Sequence, residues 1–145
     1  IQEMYEYINS LDEEGFTTCS EWLLHSANPP EPYAGEPRFI HNDIWPEHIL
    51  VHPEDGNVSA VIDWEDSMFG DPVSDFATLP FWIGWEQTRQ VVASYGLPID
   101  RGFFRRLEYA SKLLSLAWLH DESGRSDELD LPKCFVRRAF ALEPQ

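Results

Sequence analysis

The amino-acid sequence predicts an α+β domain, mainly helical, in which one small β-hairpin carries the functional residues. Three observations predict it. Two apolar, β-branched runs, "HILVH" and "VSAVIDW", flank the turn-forming "PEDGN", which is the pattern of a hairpin. From about residue 73 onward apolar residues recur at spacings of three and four, the period of a helix face. A length of 145 residues, 43% hydrophobic and 14% aromatic, suffices for one domain with a buried core.

The elements follow in order. Residues 3–14 and 17–27 are predicted helices separated at Gly15. The second opens with Thr17 or Thr18 as its N-cap, with Glu21 three residues after Thr18. "NPPEPYAGEP" is a loop, because successive prolines remove donors and fix φ. "RFI" is a short strand leading into "HNDIWPEHIL", and the hairpin comes next, with Asp55 and Gly56 suited to the positive φ of its turn. Helical segments are then predicted near 73–80, 85–95 (stopped by Gly96), 101–120 and 132–142. The chain shows no internal repeat and no low-complexity segment.

Composition excludes some function classes. No apolar run approaches the roughly 18 residues that cross a bilayer, so no membrane partner is expected. The opening "IQEMYEYINSLDEEG" has neither the basic nor the apolar region of a signal peptide. Cys19 and Cys134 lie far apart in sequence, and two free thiols in a reduced, cytoplasmic protein are expected. Charge is uneven. Residues 1–80 hold 17 acidic residues against the single basic Arg38, a net −16, whereas residues 81–145 hold nine of each sign. An acidic surface serves solubility, or attracts cations such as metal ions or polyamines. It disfavours nucleic acid, whose phosphates need basic neutralisation.

The hairpin brings its two ends together. Asp43 and His48 stand before its first strand and Asp63 after its second, so these side chains are expected to converge. Such a set suits phosphoryl transfer, where a carboxylate orients the acceptor hydroxyl and takes its proton while Mg²⁺ neutralises phosphate charge. Mg²⁺ prefers oxygen, which makes Asp63 a natural ligand and His48 a less obvious one. His41, His48 and His52 lack the tight Cys/His spacing of a zinc site.

Asp66, Trp82 and Trp85 are candidate substrate-binding positions. For the two tryptophans, within "PFWIGW", core packing competes with pocket lining. Glu65 reads as a solvated neighbour of Asp63. "FFRRLEYASK" reads as a surface helix face with i,i+4 pairing, such as Arg105 to Tyr109.

"HNDIWPEHIL…VIDWEDSMFGDPVSDFA" resembles the catalytic core of the aminoglycoside phosphotransferase and kinase-like small-molecule phosphotransferase family. That family's pattern is H-x-D-x-x-x-x-N, a hairpin, then I-D-W/F-x-x-x-x-x-G-D-P-x-x-D-[LF]-A. The match is dense over residues 39–79. The resemblance implies the C-terminal lobe of a protein-kinase-like fold, with Asp43 as catalytic base and His41 beside it as buttress of the catalytic loop. It implies Asp63 and His48 as metal ligands, and Asp71 and Asp75 bracing the loop through backbone hydrogen bonds. Mg²⁺ and a donor, ATP or GTP, are implied cofactors, and a cationic small molecule such as an aminoglycoside is the implied acceptor.

Two departures stand out. His48 replaces the family's metal-binding Asn, as in the branch that contains aminoglycoside 2″-phosphotransferases and macrolide phosphotransferases. The first Lys is Lys112, and residues 1–38 contain no Gly-rich loop. The expectation is therefore a C-terminal lobe over residues 1–145 without the N-terminal nucleotide-binding lobe of its parent polypeptide, inactive alone. The alternative is a non-enzymatic binding or scaffold domain of kinase-like fold.

Overall fold

Most helices form where the apolar spacing puts them, with ends set by local chemistry. The helix expected near 73–80 is instead a 3₁₀ turn over Pro72–Phe76, with a short helix beginning at Leu79. In the computed structural model, which describes residues 1–11, 15–25, 29–96, 98–123 and 130–141, helix α1 spans Gln2–Ser10 and α2 spans Phe16–His25. The first helix ends at Ser10, earlier than the spacing predicts, and residues 12–14 lie outside the described residues. In α2 the buried Phe16, Cys19 and Leu23 repeat at three and four. Gly15, at φ 94°, turns the chain just before Phe16. Thr17 and Thr18 are therefore inside the helix and exposed, and neither is its N-cap. Burial pushes the Cys19 thiol up to about 11.

The hairpin is present as β2 (Ile49–Val51) and β3 (Val58–Val61), antiparallel, with Ile49 opposite Val61. Its turn relies on Gly56 at φ 72°; Asp55 is not in the left-handed region. Asp55 instead accepts hydrogen bonds from the Asn57 backbone N–H (2.9 Å) and side-chain amide (2.7 Å), an Asx turn. A second ladder surrounds the first. The short strands β1 (Arg38–Ile40) and β4 (Met68–Gly70) pair antiparallel, with Ile40 opposite Met68. The chain from 38 to 70 is thus two nested ladders, and segments 41–48 and 62–67 connect outer to inner.

A 3₁₀ turn, Pro72–Phe76, leads into α3 (Leu79–Ile83), α4 (Trp85–Ser94), α5 (Phe103–Glu122) and α6 (Asp130–Ala139). The 20-residue α5 touches α1, α3 and α6. Ile8, Phe16, Leu23, Leu116, Leu119 and Val136 form one core cluster. Val73, Phe76, Trp85, Val92, Phe103 and Leu107 form a second. Phe81, Phe135 and Ala139, with half-buried Trp45, Trp82 and Trp118, form a third. Full burial of each large apolar side chain stabilises the fold by about 1.5–3 kcal/mol.

The ladder side is different. Phe39 (57% exposed), Trp64 (46%) and Phe69 (69%) form an aromatic face open to solvent, with Phe39 and Trp64 stacked at 5.8 Å. Among the described residues no helix is long and apolar enough to cross a membrane.

Candidate active site

The two connecting segments face each other because both ladders pair. Asp43 and His48 lie on 41–48, and Asp63 lies on 62–67. His48 sits between the carboxylates: its Nδ1 is 3.6 Å from Asp43 Oδ2, and its Nε2 is 3.5 Å from Asp63 Oδ2. The expected convergence of Asp43, His48 and Asp63 is therefore what the structure shows.

His48 has a defined proton arrangement. Its Nδ1 lies 2.8 Å from the Asp43 carbonyl oxygen, which can only accept, so Nδ1 carries hydrogen. In the neutral ring, Nε2 then presents its lone pair toward Asp63. A lone pair facing a carboxylate is repulsive unless a proton or a cation lies between them. The hydrogen bond to the Asp43 carbonyl, joined by the charges of Asp43, Asp63 and Glu47, raises the His48 pKa above its usual value.

His41 serves as a buried strut. It is 2% exposed; its Nε2–H donates to the Ile62 carbonyl (2.7 Å), and its Nδ1 accepts from the Asp43 N–H (3.3 Å). It ties the Asp43 segment to the Asp63 segment. Asp75 braces the same loop, accepting from the backbone N–H groups of His41 (3.1 Å) and Asn42 (2.7 Å). Asn42 and Asp63 both lie in the left-handed region, at φ 69° and 65°.

Asp71 departs from expectation. Its carboxylate caps its own 3₁₀ turn by accepting from the Val73 N–H (3.1 Å) and pairs with the Arg106 Nε (2.5 Å). It does not reach the backbone of the 41–48 segment as Asp75 does, because the capping geometry fixes it toward α5. Arg106 also bonds Asp100, at 2.6 Å, and its guanidinium lies 5.2 Å from the centroid of the Tyr33 ring. It is 8% exposed, not part of a surface basic face. The two carboxylates hold its pKa above the usual arginine range, Asp100 more than Asp71.

The substrate-binding candidates separate. Trp85 is 6% exposed, with its indole N–H donating to the Ala139 carbonyl (3.3 Å); it is a core residue, because its ring is buried in the second cluster with Val92, Phe103 and Leu107. Trp82 is half-buried against Trp45 and Phe135. Asp66 is exposed in the turn closed by the Ser67 N–H to the Trp64 carbonyl (3.1 Å). Sequence reasoning passed over Thr78, whose hydroxyl donates to the Ile44 carbonyl (2.8 Å). It also passed over Trp45, whose indole N–H donates to Asp43 Oδ1 (2.7 Å). The signal for Trp45 was its place between the motif Asp and Pro46.

Metal chemistry can be weighed on these donors. Among the described residues no group of three or more His, Cys, Asp or Glu is placed to hold an ion. Asp63 Oδ2 and His48 Nε2, 3.5 Å apart, nevertheless form a pair that could supply two donors to one divalent cation.

The fold is thus mainly helical, with Asp43 and Asp63 on the two connections that lead into and out of the hairpin. Residues 3–133 match the family model of the phosphotransferase enzyme family (APH), and the chain belongs to that family. Among known proteins, acyl-CoA dehydrogenase family member 11 of Rattus norvegicus is 34% identical over 73 residues, covering 50% of this chain and 9% of that protein. Hygromycin-B 4-O-kinase of Escherichia coli is 36% identical over 56 residues, covering 35% of this chain and 16% of that protein. A crystal structure of a macrolide 2′-phosphotransferase from Brachybacterium faecium aligns with 99% of this chain and 48% of its own, at TM-score 0.49 and 19% identity. The chain thus spans less than half the length of each of these relatives.

Proposed function

We propose that this chain is the catalytic lobe of a phosphotransferase that moves the terminal phosphate of a nucleoside triphosphate, ATP or GTP, to a hydroxyl of a small cationic molecule such as an aminoglycoside. The observation that carries this reading is the placement of Asp43 and Asp63 against opposite nitrogens of His48, at 3.6 and 3.5 Å. Asp43 takes the proton of the acceptor hydroxyl while that oxygen bonds to phosphorus and the nucleoside diphosphate leaves with the electrons of the broken bond. Asp63 and His48 would hold Mg²⁺, which supplies charge neutralisation on the phosphate oxygens. His41 and Asp75 keep the Asp43 loop in register, a positioning role that phosphoryl transfer depends on.

A donor-binding lobe elsewhere in the same polypeptide belongs to this reading. The solvent-facing Phe39, Trp64 and Phe69, whose rings contact one another through Phe39, supply an apolar surface for it. A second reading is a binding or scaffold domain of kinase-like fold without chemistry.

The test is transfer from ATP to hygromycin B by the intact polypeptide. Asp43→Ala is expected to lower turnover about 10²–10⁴-fold, with nucleotide binding much less affected. Undiminished turnover in that variant removes Asp43 as the base. Equal binding with no transfer in either form supports the binding domain.

A further inference from the structure

Trp45 stands two residues after Asp43 and immediately before Pro46. A residue before proline is confined to extended backbone, and Trp45 has φ −117° and ψ 157°. Its ring meets Phe81, Trp82 and Trp118 at centroid separations of 6.1, 6.2 and 5.5 Å. Phe135 of α6 closes the cluster, 4.3 Å from Trp82 and 4.9 Å from Trp118. Side chains from α3, α5 and α6 thus hold one indole. The neighbouring Ile44 carbonyl is fixed by the Thr78 hydroxyl at 2.8 Å. Held this way, the Trp45 N–H donates to Asp43 Oδ1 at 2.7 Å.

We propose that Trp45 is a positioning residue for Asp43. Its N–H engages Oδ1 and fixes the rotation of the carboxylate. That leaves Oδ2, the oxygen 3.6 Å from His48 Nδ1, to receive the acceptor's proton. The terminal torsion of an aspartate is otherwise broad, so an untethered Asp43 would present either oxygen in many directions. An N–H bond to a carboxylate of this length belongs to the strong, charge-assisted class. The rigid aromatic cluster makes the tether stiff, as a positioned catalytic group requires. The inference rests on the reading of Asp43 as base.

Two measurements test it. In ¹H–¹⁵N spectra of the 145-residue chain, the indole N–H of Trp45, assigned through its backbone, is expected to lie downfield and exchange slowly. Asp43→Ala should move it upfield and speed its exchange, and an unmoved resonance overturns the tether. This arm needs no turnover and does not depend on any variant of Trp45 folding. The second arm uses transfer by a polypeptide in which Asp43→Ala abolishes turnover. There Trp45→Phe, which keeps a ring but loses the N–H, should lower kcat about ten- to a hundredfold with the acceptor KM within about twofold. Unchanged kcat, or a rise in KM alone, overturns the positioning role. Turnover retained by Asp43→Ala instead defeats the reading of Asp43 itself, whatever the spectra report.

Discussion

At the scale of single residues, charges here are placed by partners more than by burial. Asp100 illustrates it. The Arg106 hydrogen bond, then the Gly102 N–H and the guanidinium charge, hold its carboxyl down at about 2, from an ordinary 3.8. A carboxyl depressed on folding stabilises the protein above its unfolded value, and that contribution disappears as pH falls through the folded value. Asp100→Asn should therefore lower the thermal midpoint most above pH 4, with the gap to the parent closing as pH falls toward 2. Because the Asp100 side chain is 39% exposed, screening keeps the effect to about 1 kcal/mol or less. A gap that widens on acidification would contradict the assignment. His48 has the opposite sign: its pKa is raised, so any stability it lends is present at low pH and lost as pH climbs above the ordinary histidine range. The convergence of Asp43, His48 and Asp63 was legible from sequence because a hairpin necessarily joins its ends. The inward aim of Arg106 was not, since "FRRLEY" reads as solvated charge. Its place three residues after Phe103 and one before Leu107, both fully buried, was the overlooked signal.

At the scale of elements, Arg106 links three pieces of chain: the turn headed by Asp71, the approach to α5 at Asp100, and the Pro-rich segment through Tyr33. Arg106→Leu removes the partner of both carboxylates, and because Asp71 and Asp100 stay 22% and 39% exposed, the loss is expected to be about 1–2 kcal/mol. Equilibrium urea unfolding should show the midpoint falling accordingly, and a loss under about 1 kcal/mol would mean the three pieces hold without it. The elements themselves were mostly legible. Of the helices predicted after residue 73, α4, α5 and α6 followed their apolar period. The segment near 73–80 instead folds as the 3₁₀ turn Pro72–Phe76, capped by Asp71, with α3 beginning only at Leu79. The β2–β3 hairpin followed its turn residues. The β1–β4 ladder was hidden in half, because the three residues of β4, Met68–Gly70, are too few to display an alternation. The predicted cap of α2 failed because Gly15 reverses the chain before either threonine can serve.

At the scale of the whole molecule, the net −16 is carried by residues 1–80, the part of the chain that also holds the proposed site, and it gives that part a negative field. A cationic acceptor gains from that field, and a triphosphate is opposed by it. Calorimetric titration of the 145-residue chain is expected to show aminoglycoside binding that weakens steeply as salt shortens the Debye length below about 10 Å. ATP·Mg²⁺ should bind weakly at every salt concentration. Tight ATP binding by the chain alone would remove the need for a second lobe, and no aminoglycoside binding at any salt would redirect the search to uncharged alcohols.

The two left-handed residues, Asn42 and Asp63, carry a consequence for directed evolution. Glycine adopts such a backbone without penalty, whereas other residues are strained there by about 1 kcal/mol, Asn and Asp somewhat less. Selection for heat resistance alone should accept glycine at both positions and reward each with a small rise in thermal midpoint. Selection that also demands phosphate transfer should accept Asn42→Gly and reject Asp63→Gly, since only the second discards a carboxylate. Sequencing the survivors of the two regimes would separate a position whose strain is incidental from one whose strain is the condition of activity. Recovery of glycine at 63 among active clones would overturn the proposed metal-holding role of Asp63.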